Sequence, residues 1–595
     1  MQKKKKNILD NKIYYQGRIS LNQENYLKAK KRYQLIGTLR LVAFVCCILS
    51  GYIFWGKSSV FFSIAIFLVL FLYLVHRSVN AKYLRDKFKL LITINQNELE
   101  VLNGNWTRFK DGSEYKNAQH PFAFDMDIFG KKSFFQLINR TVSKKGADLL
   151  ASQLMEGSEF VDLTNDAILD LFSQPDWCQE FLVEGMVFKS ENLEKEFQNI
   201  KENSVNENLF SKILRFLIPI SSLTFTLLFS FDFISSSIFG LYIMLVFALI
   251  GRNLKVANSI SARVTSFANQ VKMFQRQLEL FRKLTIESEQ FKKTRDSLFS
   301  NQANLLDSLN QLEKIQGRMD VRMNLIVGTV LNFFLAWDYQ VLNQWEKWRL
   351  ENENHLGSWE NQLAQLEVWI SGAIYKVNFP ETIFAEFNES QEMKIVGLGH
   401  PFVVKEKRVV NDVSLLNNEN FMIITGPNMA GKSTYLRSLG LANICANAGF
   451  PVLAKSCEMV KLKLYSSMRT SDDLTVESSY FHAELTRLRF IMDAIENGEK
   501  VFIILDEILK GTNSKDKEIG SAKFLQKLQR LNAKGVIATH DLSLCNLSND
   551  NLAFKNMYFD SAITGDVLSF DYLIRPGICQ NMNASFLLKQ MKLVD

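Results

Sequence analysis

The residues best suited to chemistry are TGPNMAGKST, 425–434, directly after the apolar run FMII. Gly426, Pro427, Asn428, Met429, Ala430, Gly431, Lys432, Ser433 and Thr434 satisfy the pattern G-x-x-x-x-G-K-[ST] and run past it by one residue. Such a loop turns backbone N–H groups at a helix start towards a phosphate chain. Its lysine neutralises the phosphates, and its serine hydroxyl is a ligand for Mg²⁺. Chance matches to this pattern occur, so the flanking elements have to supply the support.

FMII predicts a buried strand before the loop, and TYLRSLGLANICANAG predicts the helix after it. A second apolar strand, VFIILDE (501–507), ends in two carboxylates. Asp506 fits the Mg²⁺ shell together with Ser433, and Glu507 is placed to polarise an attacking water. A third strand, GVIATH (535–540), delivers His540 towards a γ-phosphate. Alone, Glu507 reads as a solvated acid and His540 as a surface or capping histidine. Three strand ends in this order predict an ATPase using ATP and Mg²⁺, with Lys432, Glu507 and His540 as the catalytic set.

These residues carry a resemblance. TGPNMAGKST, LDEILKGTNSKD (505–516) and ATH (538–540) are similar to the nucleotide motifs of the MutS family of DNA mismatch repair ATPases, with Ala430 where many members have Gly. RTSDDLTVESSYFHAE (469–484) resembles the family segment ending S-x-F-x-x-E. The resemblance implies a head-to-tail homodimer in which Ser479, Phe481 and Glu484 complete the partner's site, Ser479 meeting the γ-phosphate. LGHPFV (398–403) resembles the stretch near the adenine, and 125–154 the start of the family's helical core. The family's N-terminal mismatch reader has no counterpart here. A Phe-Ala-Glu at 384–386 lies just before the ATPase region and reads as a linker anchor.

Around this engine lie four apolar runs: 41–55, 60–75, 216–231 and 233–250. Each approaches the roughly 17–25 residues that span a bilayer. They pair tightly, through GKSS and at Asp232, and basic segments flank each pair on the outside. That pattern predicts two transmembrane hairpins in an inner (cytoplasmic) membrane, multi-pass, with soluble domains and both termini cytoplasmic. The apolar stretch 324–337 is shorter and predicts a core helix. Val264, Phe267, Val271, Phe274, Leu278 and Phe281 predict a coiled-coil-like seam.

The expected fold class is an α/β P-loop (ABC-type) ATPase domain plus an all-α core/lever domain carrying the two hairpins. The expected division is a basic N-terminus (1–36), hairpin 1 (37–78), a partly β connector (79–119) and the first part of the helical core (120–209). Hairpin 2 (210–252), the lever (253–380) and the ATPase domain (381–595) follow. MQKKKKN lacks the apolar core of a secretory signal. Seven scattered cysteines without a C-x-x-C pair argue against a metal or disulfide framework. The net charge of +8 is concentrated beside the hairpins, so it is weak evidence for nucleic acid. The expected partners are a second copy, the lipid bilayer, and DNA or a DNA-processing protein. The alternative client is a membrane or envelope protein without nucleic acid. A transporter is disfavoured, because almost no polar residues line the apolar runs.

Overall fold

The computed structural model describes residues 11–53, 59–159, 161–187, 209–252, 254–286, 288–299, 305–469, 480–564 and 567–580. Helices α1 (Asn11–Ile53, 43 residues) and α2 (Ser59–Leu102, 44 residues) form a long antiparallel pair. The Arg85 guanidinium lies 4.7 Å over the Tyr33 ring, and Phe44 meets Phe71 at 6.0 Å between ring centres. At 1.5 Å per residue each helix is about 65 Å long, so the apolar runs are only the distal parts of continuous rods. No break falls at residue 36 or 78.

The expected β connector is corrected. Residues 79–102 are helical, and turns without a strand follow to the short helical turn at Ser113–Tyr115. The buried face of α2 here is Leu91, Ile94, Asn95, Glu98 and Val101, spaced by three and four. Two of these residues are polar, which hides the helical period. Asn95 exchanges hydrogen bonds with Gln179 at 2.9 and 3.0 Å, and Glu98 receives the Arg140 guanidinium. Both are therefore affordable inside the core.

Four helices continue the core: α3 (Phe134–Ile138), α4 (Lys144–Glu156), α5 (Val161–Phe172) and α6 (Pro175–Val187). Hairpin 2 comprises α7 (Leu209–Ser230) and α8 (Ser236–Gly251), turning at Asp232 with φ +59°. Phe225 stacks on Tyr242 at 4.2 Å and Phe229 on Phe239 at 4.6 Å. Among the described residues α1, α2 and α7 are long and apolar enough to cross a membrane, whereas α8, at 16 residues, is a shorter apolar helix.

The chain then folds into α9 (Leu254–Lys283), α10 (Glu289–Phe299), α11 (Leu305–Arg322), α12 (Leu325–Leu335) and α13 (Trp337–Asn378). Val264, Phe267, Leu278 and Phe281 of the expected seam are fully buried in the core; the side chains of Val271 and Phe274 lie outside the described residues. The stretch 324–337 is corrected too. It is a helix packed against hairpin 2 with an exposed apolar side, not a core helix.

Helix α13 is the spine. Its Glu367 carboxylate accepts from the amides of Val142 and Ser143 at 3.1 and 3.0 Å, which fixes the start of α4. At its foot, Asn378 donates to Glu98 at 2.7 Å and accepts from the buried Tyr15 hydroxyl at 2.7 Å. Glu98 also pairs with Arg140 through guanidinium Nε and Nη2, at 2.5 and 2.8 Å. Thus α1, α2, the segment after α3 and α13 meet in one buried polar knot.

After Pro380 the chain becomes α/β. A four-stranded sheet has the order β1-β5-β2-β3: β1 (Glu386–Phe387), β2 (Met393–Leu398), β3 (Asn411–Leu415) and β5 (Ser456–Met459). Phe384 packs against the core just before β1, while Glu386 is exposed. The second sheet contains β4 (Phe421–Thr425), β6 (Lys463–Ser467), β7 (Val501–Asp506), β8 (Lys534–Ala538), β9 (Phe554–Phe559) and β12 (Ile574–Pro576). Its order is β12-β9-β4-β8-β7-β6, parallel except for β12; β10 (Ala562–Thr564) and β11 (Val567–Ser569) form a separate hairpin. Helices α14 (Lys432–Ala448), α15 (Tyr480–Glu496) and α16 (Ser514–Arg530) complete this domain.

Candidate active site

The three apolar strands foreseen from the sequence are neighbours. β4, β8 and β7 lie side by side and parallel, so their C-terminal ends open onto one edge. In a doubly covered parallel sheet that edge is where ligands bind. Residues 426–431 bridge β4 to α14 there. Gly431 caps α14 at φ +102°, a left-handed conformation that glycine adopts without a Cβ penalty.

Lys432 is buried and points back into the loop. Its ammonium donates to the carbonyls of Gly426 at 2.7 Å and Pro427 at 3.0 Å. It also faces His540 Nε2 at 3.2 Å. An ammonium can only donate, so Nε2 accepts and the ring proton sits on Nδ1. Burial, then the Lys432 charge, lowers the His540 pKa below the ordinary histidine value. Burial likewise lowers the pKa of Lys432, against the raising effect of Asp506 and Glu507.

Ser433 Oγ donates to Asp506 Oδ2 at 2.8 Å, which brings a hydroxyl and a carboxylate together at the mouth of the loop. Mg²⁺ prefers hard oxygens and takes one or two from protein, the rest from water and phosphate. This pair fits that donor set. Glu507 follows at φ +51°, a strained conformation held by its amide bonding to the Ala538 carbonyl at 2.9 Å. Its carboxylate lies 3.8 Å from His540 Nε2 and 3.7 Å from Lys510 Nζ. Lys432, Ser433, Asp506, Glu507 and His540 all line one cleft of about 740 Å³. His400, Arg408, Asn411 and Tyr572 line the same cleft. His400 is buried and its pKa is pushed down to about 4, chiefly by burial. Pro427, Asn428, Met429, Ala430 and Thr434 also line the cleft, Met429 at φ +67° with its side chain exposed.

The residues expected to act across a dimer present a different picture. Ser479 lies outside the described residues. Glu484 is turned into its own chain, where its carboxylate accepts from the amides of Leu509 at 2.5 Å and Lys510 at 3.1 Å. Burial raises its pKa, with those two amides pulling the other way. Phe481 packs on Gly511, where an added Cβ would approach Phe481 Cβ to 2.7 Å. Both side chains therefore hold the loop that follows β7, immediately beyond Glu507.

Sequence reasoning missed the contacts that join this site to the helical core. Asp125 accepts from Ser466 Oγ at 2.7 Å and from the amides of Met468 and Arg469 at 3.1 and 3.0 Å. Asp127 pairs with the Arg469 guanidinium at 2.7 and 3.0 Å, and Arg437 of α14 approaches it at 3.6 Å. The acidic pair in DMDIF was the available signal, since acids set among apolar residues call for hydrogen-bond donors or basic partners.

A half-buried hydroxyl–carboxylate pair, a lysine inside a helix-capping loop and a strained acid at the next strand end form an arrangement that could hold a phosphate. Residues 422–593 match the protein-family model MutS domain V. The chain is 32% identical over 222 residues to the DNA mismatch repair protein MutS of Thermotoga neapolitana, covering 36% of this chain and 27% of that protein. It is 30% identical over 194 residues to mouse MutS protein homolog 4, covering 31% and 20%. A MutS protein of Natronomonas pharaonis gives 31% over 190 residues, covering 31% and 22%. Over residues 422–593 the chain is similar to the MutS family through that family's domain V. It spans about a fifth to a quarter of the length of these relatives.

Proposed function

We propose that the chain is a membrane-anchored MutS-type P-loop ATPase that binds and hydrolyses ATP as a head-to-tail homodimer. The observation that carries this reading is the Ser433–Asp506 contact of 2.8 Å beside Lys432, with Glu507 and His540 across the same cleft. Mg²⁺, when bound, would be held by Ser433 and Asp506 and would neutralise charge on the phosphate oxygens. Lys432 exchanges its two loop carbonyls for phosphate oxygens. Glu507 accepts a proton from the attacking water, and His540, neutral, adjusts to the Lys432 ammonium and the terminal phosphate. Ser479 of a second copy closes the site, and Phe481 and Glu484 set the loop behind it.

The four apolar helices anchor this engine at the inner membrane as two hairpins, with the soluble domains cytoplasmic. Their exposed apolar surfaces and the basic flanks support that topology. The proposed output is movement of α11 and α13 on DNA or a DNA-processing partner, without mismatch reading. A second reading, a membrane or envelope client without nucleic acid, is favoured by one observation: helix α12, which joins these two helices, packs against hairpin 2.

Two titrations test the proposal on detergent-purified full chain. Wild type binds Mg-ATP and Lys432→Ala does not; equal binding by both would overturn the site assignment. DNA affinity, if present, falls steeply with salt because phosphate contacts release counterions. Salt-insensitive or absent DNA binding, with and without ATP, selects the membrane-client reading.

A further inference from the structure

Between Arg322 and Asp338 the chain reads MNLIVGTVLNFFLAW, with no charged residue. Helix α12 occupies this stretch at the tip of the α11–α13 arm. Its inner side is packed, Phe333 and Ala336 clustering with Leu214, Ile218, Tyr242 and Val246 of hairpin 2. Its outer side is apolar as well. Val327, Val330 and Phe334 share one face and are 43%, 52% and 36% exposed, and Met323 just before them is 68% exposed. A helix facing water carries polar residues on that side.

The tip is held in a defined position. Asp338 accepts from Arg322 Nε at 2.7 Å and Asn332 Nδ2 at 2.9 Å, tying α11, α12 and α13 together. Gly328 permits the close return, since a Cβ there would lie 2.3 Å from the Arg322 carbonyl oxygen. The depth along hairpin 2 can also be read. Tyr339 donates to the Leu249 carbonyl at 3.1 Å and Gln340 to that of Arg215 at 3.3 Å. Arg215 and Arg252 lie over Phe216 and Phe210, marking the charged foot of the hairpin. The Phe333 ring stands 6.1 Å from both Phe247 and Tyr242. At 1.5 Å per residue those rings lie about 3 and 10 Å further along α8 than Leu249. An interfacial helix buries its apolar face about 5–10 Å into the headgroup–acyl boundary.

We propose that α12 is an interfacial membrane helix whose outer face is covered by phospholipid acyl chains, continuous with the exposed apolar surface of α7 and α8. The arm then ends in the leaflet itself, and any movement of it acts on the bilayer beside hairpin 2. This rests on the reading of hairpin 2 as a membrane element.

The test uses the full chain in phosphatidylcholine–phosphatidylglycerol nanodiscs with a photoreactive p-benzoylphenylalanine at Val330 or Phe334. Both side chains are exposed, so the replacement displaces little packing. Leu241 on α8, 68% exposed, reports on hairpin 2, and Lys347 on α13 reports on water. Lipid adducts at Val330, Phe334 and Leu241 but not at Lys347 are expected. Adducts at Leu241 alone would overturn the α12 inference and leave the hairpin intact. Crosslinks from Val330 to a second copy would likewise overturn it. No lipid adduct at Leu241 would instead defeat the membrane reading of hairpin 2.

Discussion

Lys432, His540 and Glu507 lie within 4 Å contacts of one another in series, so their charges are interdependent. With its pKa below the ordinary value, His540 is neutral at pH 7 and accepts from Lys432. Turnover is therefore expected to hold from pH 8 down through about 6.5, the ordinary histidine value, and to fall only below it. In His540→Gln that acid limb disappears and turnover drops about 10–100-fold, the worth of a charge-assisted contact. A wild-type profile falling already between pH 8 and 7 would contradict the assignment. His400 gives a stability signature. Above pH 6.5 both folded and unfolded chains hold it neutral. Between 6.5 and about 4 the unfolded chain binds a proton that the folded chain refuses, so stability falls as pH falls. The loss is about 3 kcal/mol by pH 4, levelling off below it. His400→Gln should flatten this region of a denaturant-midpoint profile against pH. That Lys432, Ser433, Asp506, Glu507 and His540 converge on one cleft was legible because a phosphate loop and its companion strands require particular residue types at fixed spacing. Asp125 and Asp127 were not, because their partners lie more than three hundred positions away.

At the scale of elements, the loop after β7 is positioned by Glu484, whose carboxylate takes two of its amides. Glu484→Ala leaves the amides of Leu509 and Lys510 without that acceptor. The buried Leu509 donor so orphaned costs about 1–3 kcal/mol, and the part-buried Lys510 amide less, since water reaches it. The expected outcome is a lowered midpoint in thermal melts together with a fall in turnover, Mg-ATP binding being retained. Unchanged turnover would mean that the loop is held elsewhere. Strands β4, β7 and β8 were legible because parallel strands covered on both faces are continuous apolar runs. The end of α2 was not, because Asn95 and Glu98 occupy its buried stripe and imitate the alternation of a strand. Helix α12 misled for a related reason: an uncharged stretch too short to span resembles a core helix until its exposed side is seen.

Across the whole molecule, hairpin 1 is welded to the body rather than tethered to it. The knot of Tyr15, Glu98, Arg140 and Asn378 joins its base to the foot of α13, directly before the ATPase domain. Arg140→Met removes a bidentate partner and leaves a carboxylate that is 1% exposed. Breaking one side of a buried pair costs about 3–5 kcal/mol, and that loss should be read in thermal melts of the detergent-purified chain. A change of only a few tenths would show the pair to be dispensable. Two helical pairs with basic flanks were readable in the sequence; their continuity with the rest of the helical body was not, since no local pattern marks where an apolar run gives way within one continuous helix. The central claim is that this rigid, membrane-held body is driven by ATP turnover at Glu507. The most direct measurement compares Mg-ATP binding, hydrolysis and oligomeric mass of full-length wild type and Glu507→Gln. Loss of the general base should reduce hydrolysis about 10²–10⁴-fold. Glu507→Gln should still bind Mg-ATP and accumulate as an ATP-bound dimer. Hydrolysis at the wild-type rate by Glu507→Gln would contradict the account.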